Sequence, residues 1–204
     1  MDAVRVALLR EVLAGTEWPG ATRRFAAMLR RSVAPVGPAA GGRLLLVGTE
    51  GYEPWHLAAH LVDEAAWSGQ PELAPTLVRH RVLPDEPPHL SVGLGRLAAA
   101  GRGHTVLVVA PGPPGEGLLE RVHDARRAGA TVLSLDGGDE ELGGLAHDAL
   151  SVPDDAGLDL DTVQHLVSAA AGENSLPVQR GPRRLRDRLS RLADQLTAPP
   201  PIRW

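Results

Sequence analysis

A repeated alternation constrains this chain more than any other feature. A short apolar run is followed, time after time, by a longer stretch whose apolar residues return every three or four positions. The run at 44–47 precedes a helical pattern near 54–67, and the run at 76–82 precedes one near 90–100. The run at 105–109 leads into a pattern at about 116–128, 131–135 into a short helical turn, and 149–152 into a pattern near 159–171. Apolar runs with no polar alternate read as strands buried on both faces, which occur in parallel sheets covered by helices. The alternation therefore predicts an α/β fold: a three-layer, doubly wound, five-stranded parallel sheet. Ligands of such sheets sit beyond the carboxyl ends of the strands, which here means the loops after Val47 and Val109.

Helices extend this block at both ends. Val4, Leu8, Leu9, Val12 and Leu13 share one helical face, as do Phe25, Met28, Leu29 and Val33. Two N-terminal helices are expected in 1–41, ending at the breaker-rich "APVGPAAGG", with the α/β domain over 42–174. In 175–204, Leu185, Leu189, Leu192 and Leu196 make a narrow apolar stripe on an Arg-rich helix, followed by a Pro-rich tail. Such a stripe suits docking on its own domain or on a second subunit, so we expect a homodimer or higher homo-oligomer.

Composition removes several function classes. A net charge of −4 gives no electrostatic case for nucleic acid or an anionic membrane, and no aromatic residues interleave with the arginines of 180–191. The chain has no Cys, which excludes disulfides, thiolate catalysis and Cys-ligated zinc and fits a cytoplasmic protein. The N-terminal "MDAVRVALLREVLAG" carries charges inside its apolar pattern, so it reads neither as a signal peptide nor as a membrane span.

The stretch "TVLVVAPGPPGEGLLERV" (105–122) runs from strand through a glycine-rich loop into a helix. A helix start of this kind offers unpaired N–H groups and partial positive charge to an anion. Pro111, Pro113 and Pro114 remove three N–H donors, and the loop has no Ser or Thr to replace them. Gly112, Gly115 and Gly117 still allow a ligand close to the backbone. We therefore place a ligand at Gly112, Gly115, Glu116 and Gly117, and at Gly48, Thr49, Glu50, Gly51 and Tyr52 of the first loop. Thr49 is that loop's only aliphatic hydroxyl, and the carboxylates Glu50 and Glu53 beside it repel a phosphate dianion.

The block from 42 to about 172 resembles the sugar isomerase (SIS) domain, a phosphosugar-binding fold. The resemblance is carried by "LLLVGTEGYE", by "HTVLVVAPGPPGEGLLERVHDARRAGATVLSLDG", by "LAHDALSVPDD" and by "DTVQHLVSAAAG", in that order. "GTEGYE" is also similar to the "G-T-E-E-M" loop of SIS-like proteins in Bacillus-type bacteria. The resemblance implies a phosphorylated sugar or other carbohydrate derivative as ligand, with isomerisation as the reaction if there is one. A non-catalytic SIS-fold protein for dimerisation or regulation, its phosphosugar site degenerate, is the alternative.

His56, His60 and Glu64 are four residues apart and line one helical face. A sugar isomerase needs a base to move a proton between neighbouring carbons, and Glu64, His60 and His165 are the candidates, with Glu50 a fourth. His60 and Glu64 also resemble the H-x-x-x-E pair of phosphoheptose isomerases, which with a Gln and a His of the closing helix forms a zinc site. Gln164 matches that Gln, but Gly172 stands where the His is placed. His165 points about 100° away from Gln164 on a helix. We expect no metal site and no cofactor on these residues, zinc keeping three ligands of four. The histidine face reads instead as a polar surface at the sheet edge or a dimer interface.

Overall fold

The computed structural model describes residues 3–34 and 43–173. Two helices, α1 (Ala3–Val12) and α2 (Trp18–Val33), lead into a five-stranded sheet: β1 (Leu44–Val47), β2 (Thr76–Val78), β3 (Thr105–Ala110), β4 (Thr131–Asp136) and β5 (Asp148–Ser151). Every strand pair is parallel and the order is β2-β1-β3-β4-β5. The winding direction reverses between β1 and β3, so the crevice that such sheets open for ligands lies between the loops following those two strands. Segments 35–42 and 174–204, including the expected Arg/Leu helix and tail, lie outside the described residues. Among the described residues, no helix is long and apolar enough to cross a membrane.

The apolar runs fill both faces of the sheet. Successive residues of a strand point to opposite sides. Leu44, Leu46, Leu107, Val109, Leu133 and Leu135 face α2, α3 (Trp55–Ser68) and α7 (Leu160–Gly172). Leu45, Val47, Val106, Val108, Ala110 and Val132 face α4 (Gly95–Ala98), α5 (Glu116–Arg127) and α6 (Glu140–Leu145). Helix α2 places Phe25, Ala26, Leu29 and Val33 in the same core as the strands, so it forms part of the inner layer rather than an appendage. Asp159 caps α7 by accepting a hydrogen bond from the Thr162 amide at 2.6 Å.

Two elements differ from expectation. Strand β2 ends at Val78 instead of reaching 82, because Arg79 leaves the ladder to meet Glu53 and Glu86, and its amide bonds to Val92 O at 2.9 Å. The helix expected near 90–100 shrinks to Gly95–Ala98. Pro84, Pro87 and Pro88 lack donors, while Gly93 and Gly95 lower helix propensity, so the β2–β3 crossover runs mostly as loop.

Candidate functional site

The first loop folds back sharply after β1. The Tyr52 amide bonds to Thr49 O at 3.2 Å, and a Cβ on Gly48 would lie 1.8 Å from Tyr52 O, so only glycine fits there. Thr49 is buried, whereas Glu50 and Gly51 are exposed. Tyr52 is tied to the start of α7: its hydroxyl donates to Asp161 at 3.1 Å, and the Gln164 amide donates to Tyr52 Oη at 2.9 Å and to Asp161 at 3.0 Å. Burial is the main reason the Tyr52 phenol lies above its usual range, so it keeps the proton it donates. Gln164 is thus occupied in holding the loop to α7.

The second loop ends at Gly115, which takes φ 79° and starts α5 without a side-chain cap. A positive φ of this kind favours glycine. The three prolines confine the loop's amide donors to Gly112, Gly115 and the first turn of α5, Glu116 and Gly117. A Cβ on Gly112 would meet nothing within 4 Å, so the approach to that backbone is open.

Together the loops line one cavity of about 290 Å³, with Thr49, Glu50 and Gly51 on one side and Pro113, Pro114, Gly115 and Gly117 on the other. His80 and Arg121, two residues that the sequence does not single out, lie on the wall with Leu94 and Leu118. Arg121 Nη1 reaches back to Gly117 O at 2.6 Å, holding its guanidinium over the first turn of α5. His80 Nε2 lies 3.0 Å from Gly48 O; a carbonyl only accepts, so Nε2 is the donor and Nδ1 is the ring's second site. The signal for them was the run "RHR" (79–81) straight after β2, which the expected longer strand absorbed, and an Arg four residues after Gly117 on one helical face.

The loop carboxylates are engaged by cations. Glu53 receives Arg79 Nε at 3.1 Å, Glu86 takes the same guanidinium, and that guanidinium lies 5.0 Å from the centre of the Trp55 ring. Glu50 meets Arg81 at 3.3 Å, both side chains being exposed. The repulsion expected from Glu50 and Glu53 is therefore largely offset. A second cavity, about 340 Å³, lies nearby against Pro111, Gly137 and residues 152–154 and 157–160. It is larger, yet Asp154 and Asp159 are its only ionisable residues, which makes it a poor place for an anion.

Glu64, His60 and His165 fall away from this cavity, and Glu64 stands apart from the two histidines. Of the four candidate bases, Glu50 alone lines the loop cavity. His60 and His165 meet each other and His56, every pair of ring centroids 4.6 Å apart. Their ligand nitrogens all lie within 4.8 Å of one another. Glu64 is not in this group: it packs against Gly172, where an added Cβ would stand 1.8 Å from its Oε2. Burial first, then Glu173 and Asp63, pushes the Glu64 carboxyl up to about 7, opposed by Arg10. His60 is lowered to about 4, chiefly by burial and then by His165 and His56.

Two sequence expectations are corrected here. The face formed by His56, His60 and Glu64 loses Glu64, because Gly172 leaves a space that the carboxylate enters. His165 joins the histidines for the very reason it diverges from Gln164: the 100° step turns Gln164 to Tyr52 and His165 toward α3. The phosphoheptose-type zinc set does not fit this chain. Gln164 is bonded to Tyr52 and Asp161, Glu64 lies apart, and residue 172 has no side chain.

A parallel sheet with its ligand crevice at the β1/β3 reversal defines a class of doubly wound α/β proteins. Within that class the chain has the fold of the sugar isomerase (SIS) domain. The SIS domain of an RpiR transcription factor from Sphaerobacter thermophilus superposes with a TM-score of 0.54 at 13% identity, over 93% of this chain and 97% of that one. A Salmonella typhimurium LT2 protein described as sugar-binding gives a TM-score of 0.48 at 17% identity, over 92% of this chain and 51% of its own. A Silicibacter pomeroyi DSS-3 protein described as a phosphosugar isomerase gives 0.48 at 16%, over 93% and 52%. This chain thus spans about half the length of the last two. No family model matches the sequence, and no curated protein does.

Proposed function

We propose that this protein binds a phosphorylated sugar or a related carbohydrate derivative between the loops at 48–53 and 111–117. The observation that carries the reading is the cavity at the sheet's reversal point, which both loops line and which Arg121 and the open start of α5 make receptive to an anion. Thr49 supplies the one hydroxyl, and Glu50 can accept from sugar hydroxyls once a ligand displaces Arg81.

Binding is better supported than isomerisation. Glu64, His60 and His165, the candidates for proton transfer, are absent from the cavity wall, and Glu50 is the only carboxylate on the first loop's side of it. That observation favours a second reading: a SIS-fold regulatory or dimerisation protein whose sugar site binds without turning the ligand over. In either reading we propose a homodimer, which sedimentation at micromolar concentration tests; a clean monomer counts against it.

The deciding experiment is a thermal-shift screen against hexose, heptose and amino-sugar phosphates, repeated with Gly51→Val. A ligand at 100 times its Kd stabilises the native state by about 2.7 kcal/mol, a shift of roughly 5–10 °C for a chain of this size. Gly51 lines the cavity, has open space around it and no positive φ, so the variant should keep the parent melting temperature and lose the shift. A flat panel with the parent protein, or an unchanged shift in the variant, would reject the loop cavity as the site.

A further inference from the structure

Apart from the loop cavity, α3 and α7 bring three imidazoles together. We propose that His56, His60 and His165 form a site for one divalent transition metal of the zinc or cobalt kind, with solvent completing its coordination.

The geometry is close to what such an ion requires. Four-coordinate zinc holds imidazole nitrogens at about 2.0–2.1 Å, so its ligands stand roughly 3.4 Å from one another. The three nitrogens already lie within 4.8 Å of each other. Closure asks for little more than an ångström of ring movement, and His56, exposed on the first turn of α3, is free to supply it. The helices that carry the rings are anchored through Leu57, Leu61, Val163 and Val167, all fully buried in one core. Ligands on two packed helices are preorganised in a way that loop ligands are not.

His60 shows that the cluster is incomplete without an occupant. Both its ring nitrogens are buried, and neither has a hydrogen-bond partner among the described residues. Leaving such a group buried and unpaired is unfavourable, and a metal–nitrogen bond removes that penalty. Imidazole donors without thiolate suit zinc, cobalt, nickel or copper and not calcium or magnesium. Three protein ligands and an exposed His56 leave a position open to water, as in sites that act on a substrate and unlike closed structural ones. The ligand set uses neither Glu64 nor Gln164, so it differs from the phosphoheptose arrangement, and it stands independently of the loop ligand.

The test uses the full chain without a polyhistidine tag. Cobalt(II) is titrated while the visible spectrum is recorded, and zinc(II) binding is followed by calorimetry. The expected result is one ion per chain with the intense visible bands of four-coordinate cobalt, bleached by zinc. His56→Ala should weaken zinc by at least about a hundredfold, since loss of a mere outer-shell partner costs up to that much. His165→Gln should do the same, and His123→Ala, an exposed histidine outside the cluster, should change nothing. His56 is exposed, so its variant stays folded even if His165→Gln does not. Pale six-coordinate cobalt, no binding, or equal affinity in His56→Ala would overturn the proposal. A sugar-phosphate shift that survives in His56→Ala would show that the two sites are separate.

Discussion

Replacing Glu64 with Gln should stabilise this protein at pH 8 and have little effect at pH 5. Its carboxyl rises from 4.5 to about 7 in the folded chain, a span of about 2.5 pH units whose first cause is burial. At 1.36 kcal/mol per unit the upper bound is about 3 kcal/mol, and partial exposure with solvent screening reduces it to about 1–2 kcal/mol. The sign follows from an acid whose folded pKa exceeds its unfolded one. Its favourable contribution is complete below pH 4.5 and is lost as pH rises through about 7, where the fold must hold a charged carboxylate beside Gly172. Gln has the same shape and no charge, so the penalty disappears. Urea denaturation of both proteins at pH 5 and pH 8 measures it, and melting at pH 8 should rise by roughly 3–6 °C. His60 acts the other way, its contribution being present above 6.5 and lost as pH falls toward 4. It is common to both proteins and cancels in their difference. A stability gap independent of pH, or one that widens toward pH 5, would refute the reasoning.

Two further substitutions test how the site is built. Gly48→Ala sets a methyl 1.8 Å from a backbone oxygen and 2.8 Å from Pro54 Cδ, so the first loop must shift. We expect a loss of about 2–4 kcal/mol in urea unfolding, and parent-like stability would mean that the fold-back at Tyr52 is not held as described. Phe25→Ala should cost about 3–5 kcal/mol because the ring is fully enclosed between α2 and the sheet. A loss below about 1 kcal/mol would instead make the N-terminal helices separable from the α/β unit.

The sheet was legible because its physics is local. Neighbouring residues of 105–109 and 131–135 put apolar side chains on both faces of a strand, which only helices on both sides can cover. The end of β2 was not legible: whether Arg79 continues a strand depends on Glu53 and Glu86, which reach it from two other loops. The site divides the same way. The fold-back glycine and the two loops could be read, since turn chemistry is written in neighbouring residues. Arg121 and His80 took part only once α5 and β2 were placed beside the crevice. His56 and His60 are neighbours by helical spacing alone, whereas His165 reaches them through the packing of α7 on α3, a rotation no spacing in the sequence encodes.

The contact between Glu64 and Gly172 also bears on how such a chain can change. Any side chain at 172 collides with Glu64 as it now lies, and withdrawing Glu64 first leaves a void against α7. The two positions form a latch. A side chain gained at 172 would therefore turn the Glu64 carboxylate out of its present seat, so that the two positions change together.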